Sequence, residues 1–168
     1  MLTAKGKYGL KALVHLAALR DGETAQADDI ARSNRIPKKF LDAILADLRR
    51  GGFVHAKKGP GGGYMLARPS SDIKIGNAIR ALDGPLAPIA CASRTAYRAC
   101  DDCLKPSECL VRMTMARVRD AMSNVLDNQS LADMATQRRH KPARLRVVTD
   151  DQNRRVGRAK RPGHSTAA

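Results

Sequence analysis

The sequence predicts a mainly α-helical fold: a winged helix-turn-helix domain, a long C-terminal dimerisation helix and a disordered basic tail. Three observations predict it. Apolar residues recur at helical spacing in three segments of the first fifty residues. Two short strand-like runs, 53–56 and 64–67, flank a basic, glycine-rich turn. A second long helical pattern covers 110–126. Three helices followed by a basic hairpin are typical of the winged helix-turn-helix.

Composition limits the classes of partner. The chain has 168 residues, a formal net charge of +15 and a pI near 10.4. Such a balance favours a polyanionic partner, of which nucleic acid is the commonest. No apolar run is long enough to cross a membrane, and the first five residues do not resemble a signal peptide. We therefore expect no membrane association and a cytoplasmic location.

Changes in composition divide the chain. We expect a DNA-binding domain over 1–84, a cysteine loop over 85–109, a dimerisation helix region over 110–136 and a disordered basic tail over 137–168. The tail carries ten Lys or Arg against two acids, so it holds about half of the net charge. It is either a solubilising extension or a non-specific DNA-holding arm, whose affinity would fall steeply with salt.

The third helix has the pattern of a recognition helix. Pro37 fits its first position, where a missing N–H is tolerated, and 51–52 ends it with two glycines. We expect five apolar residues to pack inward: Phe40, Leu41, Ile44, Leu45 and Leu48. The polar positions Arg35, Lys38, Lys39 and Asp42 would then face the major groove, where a carboxylate can accept from a cytosine amino group. A solvated helix face is the alternative.

The glycine-rich turn predicts a DNA-contacting wing. Gly59, Gly61, Gly62 and Gly63 permit positive φ and close backbone approach, and Lys57 and Lys58 place two charges at the tip. Such a hairpin can lie along the DNA backbone or enter a narrow minor groove. A phosphate-cradling loop of a nucleotide-binding enzyme would need a helix after it, whereas 64–66 looks like a strand.

Four cysteines lie close together, at Cys91, Cys100, Cys103 and Cys109, and the rest of the chain has none. In a reducing cytosol this clustering favours metal or redox chemistry over structural disulfides. The spacing alone fits zinc, an iron–sulfur cluster or a redox dithiol. We see no Ser/His/Asp or paired-carboxylate constellation and expect no enzyme.

Several motifs together resemble the Rrf2 family of bacterial transcription regulators. The most specific is the wing sequence Gly-Pro-Gly-Gly-Gly-Tyr-Met-Leu at 59–66. Further matches are Lys-Tyr-Gly-Leu-Lys-Ala-Leu at 7–13, Ile-Pro-Lys-Lys-Phe-Leu at 36–41, the stretch 73–81 and Leu-Asp-Asn-Gln-Ser-Leu at 126–131. The resemblance covers about residues 1–136 and omits the tail.

The resemblance implies a homodimer on double-stranded DNA. The helix over 110–126 would cross its mate, placing two recognition helices on a pseudo-palindromic operator, about one helical turn apart. Lys58 matches a family arginine that enters the minor groove, and Asp42 matches a base-reading glutamate. Both keep the charge but change the geometry, so the operator sequence cannot be carried over. The apolar stripe Val111, Met115, Val118, Met122 and Val125 fits an intramolecular core equally well; the resemblance favours a dimer seam.

The resemblance also implies a cofactor. Family members that sense through an iron–sulfur cluster carry three cysteines before the dimerisation helix; Cys91, Cys103 and Cys109 match these. Cys100 is extra, and it either replaces Cys91 as a ligand or supplies the fourth. The fourth family ligand is a histidine or an aspartate at positions that here hold Arg112 and Lys7, neither of which ligates iron. We therefore favour all-cysteine ligation of a 2Fe-2S or 4Fe-4S cluster. Thiol switching, zinc and a structural role remain alternatives.

These observations together predict a homodimeric DNA-binding transcription regulator, expected to be a repressor, whose DNA affinity depends on the iron–sulfur cluster or on the cysteine redox state. Two alternatives remain open. One is a cofactor-free regulator that senses thiol oxidation, and the other is an architectural DNA-binding protein that relies on the basic tail.

Overall fold

The computed structural model of the chain describes residues 2–137, and the expected disordered tail lies outside them apart from Gln137. In chain order the elements are α1 Ala4–Leu16, α2 Ala27–Asn34, α3 Lys38–Arg50, β1 Val54–Lys57, β2 Gly63–Leu66, α4 Ile75–Asp83, α5 Leu110–Asn128 and α6 Leu131–Gln137. The two strands pair antiparallel, with Val54 opposite Leu66 and Lys57 opposite Gly63. This architecture confirms the predicted fold class.

The start of α1 is fixed by its cap. The Thr3 hydroxyl oxygen accepts from the Gly6 N–H at 3.2 Å, as an N-cap residue should. The Thr3 backbone N–H donates to the carboxylate of Asp83 at 2.8 Å, at the end of α4. A Cβ at Gly6 would lie 2.2 Å from that carboxylate, so a larger residue here would displace the Asp83 side chain. The first helix is thereby held against the fourth.

The hydrophobic core lies where α1, α2, α3 and α4 meet, and it includes one residue of α6. In α3 the fully or almost fully buried residues follow the spacing i, i+3, i+4 and i+7, at Leu41, Ile44, Leu45 and Leu48. Phe40, expected to pack inward with them, is 63% exposed, so that expectation is wrong. Phe40 precedes the stripe by one residue, which rotates its side chain about 100° away from the core.

The start of α3 differs from the expectation by one residue. Pro37 is the N-cap and not the first helical residue, with φ −59° and an extended ψ of 126°. Proline fixes φ but leaves ψ free, so it serves at either position. Its carbonyl accepts from the N–H groups of Phe40 and Leu41 at 3.0 and 3.1 Å.

The C-terminal end of α5 is tied back to the DNA-binding domain. Arg80 of α4 makes a two-pronged ion pair with Asp127, with N–O distances of 2.7 and 2.9 Å. A Cβ at Gly76 would lie 1.9 Å from the Asp127 carboxylate, so glycine permits this approach. Hydrogen bonds from Ile75 N–H to the Gln129 carbonyl and from Leu131 N–H to the Ile73 carbonyl, at 3.0 and 2.8 Å, continue the attachment.

The last helix begins with a reciprocal side-chain cap. The Ser130 hydroxyl accepts from the Asp133 N–H at 3.1 Å, and the Asp133 carboxylate accepts from the Ser130 N–H at 2.9 Å. Leu131 is completely buried. Over residues 2–137, no helix has the length and apolar character that crossing a membrane requires.

Candidate nucleic-acid interface and cysteine loop

The turn between α2 and α3 is rigid. Arg35 ends α2 in the left-handed conformation, with φ 52° and ψ 49°, and the Ile36 N–H reaches back to the Ala31 carbonyl at 2.9 Å. The buried Asn34 amide donates to the Ile30 carbonyl at 2.9 Å and lies 3.2 Å from Nδ1 of His15. The backbone therefore shapes the turn, and the Asn34 side chain attaches the end of α2 to α1.

The outward face of α3 is charged. Lys38, Lys39 and Asp42 are all exposed, as is Arg35 in the turn before it. Lys38 lies between two carboxylates, 3.1 Å from Asp42 and 3.7 Å from Asp28, and its hydrogen bond to Asp42 raises its pKa. Lys39 takes part in no ion pair within residues 2–137, so its charge is available to a ligand.

The wing turn depends on glycine for two different reasons. Gly59 and Gly61 have φ values of +92° and +72°, which disfavour other residues. Gly62 does not have positive φ, contrary to part of the expectation; there a Cβ would lie 2.5 Å from the Lys57 carbonyl oxygen. Lys57 ends β1, so of the two expected tip charges only Lys58 lies in the turn itself.

The wing is anchored by a contact that the sequence did not reveal. Ala25, just before α2, exchanges two backbone hydrogen bonds with Tyr64 of β2, at 3.0 and 2.8 Å. The Thr24 hydroxyl donates to the Gly61 carbonyl at 2.8 Å. A one-residue bridge has no periodicity, so no sequence signal marks it. The contact sets the position of the wing relative to α2 and α3.

The four cysteines are free thiols, and their pKa shifts connect Cys91 with Cys100 and Cys103 with Cys109. Cys91 is buried, and its hydrogen bond with Cys100 raises the pKa of the Cys100 thiol to about 11. Hydrogen bonding to Cys109 likewise raises the pKa of Cys103. The pKa of Cys109 is lowered, first because its sulfur accepts from the Arg112 backbone N–H at 3.4 Å, at the N-terminus of α5.

Two arginines of α5 hold the cysteine loop. Nε of Arg112 donates to the Cys91 carbonyl at 3.0 Å, and Nη1 of Arg119 donates to the Ala92 carbonyl. Arg112 also lies over the Tyr97 ring, 5.9 Å from its centroid. These contacts attach the loop to α5.

Thiolate sulfurs are the donors that iron–sulfur clusters and zinc prefer, so the chemistry of the four residues fits such a group. The positions of the four cysteines, however, do not form a complete metal site. Among the side chains of residues 2–137, no group of three or more Cys, His, Asp or Glu is positioned to hold one metal ion. Binding a single group to all four cysteines would bring the two pairs together.

The apolar stripe of α5 divides between two faces. Val111, Val118 and Val125 are 62%, 39% and 63% exposed, whereas Met115 and Met122 are half-buried against their own subunit. The three valines are seven residues apart, the spacing of a helix–helix seam. The stripe is thus neither wholly core nor wholly surface.

Known proteins match the described part of the chain. The profile of the Rrf2 family, described as "Iron-dependent Transcriptional regulator", matches residues 2–137. A Rhodobacter capsulatus protein named as an rrf2-like HTH-type transcriptional regulator is 42% identical over 137 residues, covering 80% of this chain and 91% of the relative.

Solved structures of known regulators also superimpose on this chain. The structure of CymR, described as the global cysteine regulator of Bacillus subtilis, superimposes with a TM-score of 0.67 at 30% identity, covering 82% of this chain and 97% of CymR. T. potens IscR gives 0.65 at 28% identity, covering 82% and 88%. The members of this family are DNA-binding transcriptional regulators and not enzymes. The chain belongs to the Rrf2 family of transcriptional regulators.

Proposed function

We propose that the protein is a homodimer that represses transcription by occupying a pseudo-palindromic operator in the cytoplasm, with an affinity set by the cysteine loop. One observation supports this most: α5 presents an unpaired apolar face and, on a neighbouring side, holds the cysteine loop through Arg112 and Arg119. A single helix thus connects dimerisation with sensing.

The DNA contacts divide between two elements. The first turns of α3, with Arg35 in the turn before it, would enter the major groove, where N-terminal residues of a recognition helix reach base edges. The wing would lie on the backbone or in the adjacent minor groove. The exposure of the α3 cations and the anchored wing support this assignment. The contact residues are Arg35, Lys38, Lys39 and Asp42 from the helix region and Lys57, Lys58, Gly59, Gly61 and Gly62 from the wing.

The proposed dimer is built on the valine face of α5. A helix of 19 residues is about 28 Å long, which is long enough for a seam of several turns. Val111, Val118 and Val125 remain largely exposed in one subunit, so a second copy of the same face would bury them. A twofold arrangement would also place two copies of α3 for two half-sites.

For the sensor we propose that Cys91, Cys100, Cys103 and Cys109 hold an iron–sulfur cluster. When bound, such a group supplies a link between the two thiol pairs that responds to iron and oxidants. Arg112 and Arg119 connect the loop to α5, and the Asp127–Arg80 ion pair connects α5 to α4, so a change in the loop would reach α4 through these contacts. A small change in the spacing of the two copies of α3 would then lower affinity, since both half-sites must fit together.

A cofactor-free thiol switch is the second candidate. The observation that favours it is that the free thiols perturb one another, Cys91 acting on Cys100 and Cys109 on Cys103, which makes these the two candidate disulfides. The architectural alternative depends on the basic tail, which lies outside the described residues.

Anaerobic purification followed by visible absorption and by iron and sulfide assays separates the two sensor candidates. A coloured protein with iron and sulfide supports the cluster. A colourless, iron-free protein whose DNA affinity still changes on oxidation supports the thiol switch and contradicts the cluster. Sequence-independent DNA binding that disappears on removal of residues 138–168 would contradict the operator-specific function itself.

A further inference from the structure

Phe40 stands apart from the other apolar residues of α3. It is 63% exposed, whereas the other phenylalanine of the chain, Phe53, is buried at 4%. A single exposed apolar residue is common on protein surfaces and needs no function. The position of this one is what matters, because it lies in the first turn of the helix that the proposed function places in the major groove.

The surroundings of Phe40 form a small apolar strip within a cationic surface. Ala43 is also exposed, and residues three apart on a helix lie on the same side. Lys39, exposed and without an ion-pair partner in residues 2–137, is four residues before Ala43 and lies on the side of Ala43 away from Phe40. Two further exposed cations, Arg35 and Lys38, lie at the start of the helix.

The charge around the strip identifies its occupant as DNA. The neighbouring cations would repel a basic partner and attract phosphates. Of the groups that base pairs display in the major groove, the one apolar group is the C5-methyl of thymine, and alanine and phenylalanine side chains are suited to contacting it. Recognition of bases by hydrogen bonds from this helix is restricted, because the Asp42 carboxylate already forms an ion pair with Lys38 at 3.1 Å.

We propose that Phe40, with Ala43 beside it, reads thymine through its C5-methyl group and so determines part of the operator sequence. The inference rests on the proposed function, since it requires α3 to enter the major groove. Phe40 would thus determine specificity through an apolar contact, in addition to the charged DNA contacts proposed for α3. Removal of one buried methyl group should weaken binding about fourfold.

The test uses DNA that the protein itself selects. The full-length protein is used to enrich duplexes from a random-sequence pool, and the enriched duplex is resynthesised with deoxyuridine in place of thymidine, which removes only the methyl groups. With one contacted thymine in each half-site, wild-type affinity should fall about sixteenfold. Phe40→Ala should bind the thymidine duplex more weakly and should no longer distinguish the two duplexes.

Lys39→Ala is the matched control, because it removes a cation from the same face without touching the apolar contact. Its affinity should fall on both duplexes by the same factor. Equal wild-type affinity for both duplexes would overturn the reading of thymine while leaving DNA binding intact. A Phe40→Ala variant that still prefers thymidine would assign the methyl contact to another residue and would also overturn it. Failure to enrich any sequence would instead contradict the proposed function.

Discussion

A charge placed at the centre of the valine face of α5 should separate the proposed dimer. The substitution is Val118→Asp, at a residue that is 39% exposed in one subunit. Burying a whole valine side chain contributes about 1.5 kcal/mol, so burying the exposed fraction contributes about 0.6 kcal/mol per subunit. The larger effect is the aspartate charge, because a carboxylate enclosed without a partner costs several kcal/mol.

The substitution occurs twice in a symmetric dimer, and the two carboxylates would face each other across the seam. We expect a loss of about 4 kcal/mol or more, which raises the dimer dissociation constant about a thousandfold. Sedimentation velocity or light scattering at micromolar concentration should then show a monomer. The monomer should still fold, since Val118 is not part of its core.

Asn124→Asp is the control for the added charge. It lies on the same helix, is exposed, and is about 120° around the helix from Val118. This variant should remain dimeric. An unchanged dissociation constant for Val118→Asp would refute the assignment of the seam to this face, and monomers from both variants would show that the effect is one of net charge alone.

Three further predictions concern the DNA-binding domain and its attachment to α5. Arg35→Gly should raise the free energy of unfolding by up to about 1 kcal/mol, because glycine accepts the left-handed conformation. It should nevertheless lower DNA affinity and reduce the slope of log affinity against log salt concentration by about one. An affinity equal to wild type would exclude a phosphate contact. Asp127→Asn should lower the free energy of unfolding by about 1 kcal/mol at pH 7, a value discounted for the 42% exposure of Asp127. Because Arg80 lowers the pKa of Asp127, this stabilisation is present above the unfolded pKa of about 3.9 and is lost as the pH falls through the folded pKa. Urea titrations of the two proteins should therefore converge below about pH 4. Gly62→Ala should distort the wing, because the added Cβ would clash with the Lys57 carbonyl oxygen. Fluorescence anisotropy titrations should show weaker DNA binding, while the helical circular dichroism signal stays unchanged. Full DNA affinity would show that the turn tolerates the added methyl group.

The helices and strands could be predicted from sequence because their signals are local. Thr3 and Ser130 cap their helices, and paired glycines follow α3. Apolar periodicity also placed the core residues of α3, but it could not assign Phe40. A residue at the edge of an apolar stripe fits either face, and only the packing of the neighbouring helices decides which one it takes.

The contacts that connect the site could not be predicted, because they join residues distant in sequence without a pattern. The Thr24 and Ala25 contacts to the wing are of this kind, as are the hydrogen bonds from Arg112 and Arg119 to carbonyls 21 and 27 residues earlier. A hydrogen bond to a backbone carbonyl leaves no trace in the identity of the acceptor residue. The spacing of the cysteines indicated their chemistry, and their arrangement in two pairs emerged only from the fold.

The DNA affinity of one sample, measured before and after the cysteine loop is altered, tests the central claim most directly. Full-length protein is purified anaerobically, and its dissociation constant for the selected duplex is compared with that after treatment with a thiol oxidant and an iron chelator. Control by the loop through Arg112, Arg119 and α5 predicts a change of about tenfold. The same dissociation constant before and after treatment would contradict the account.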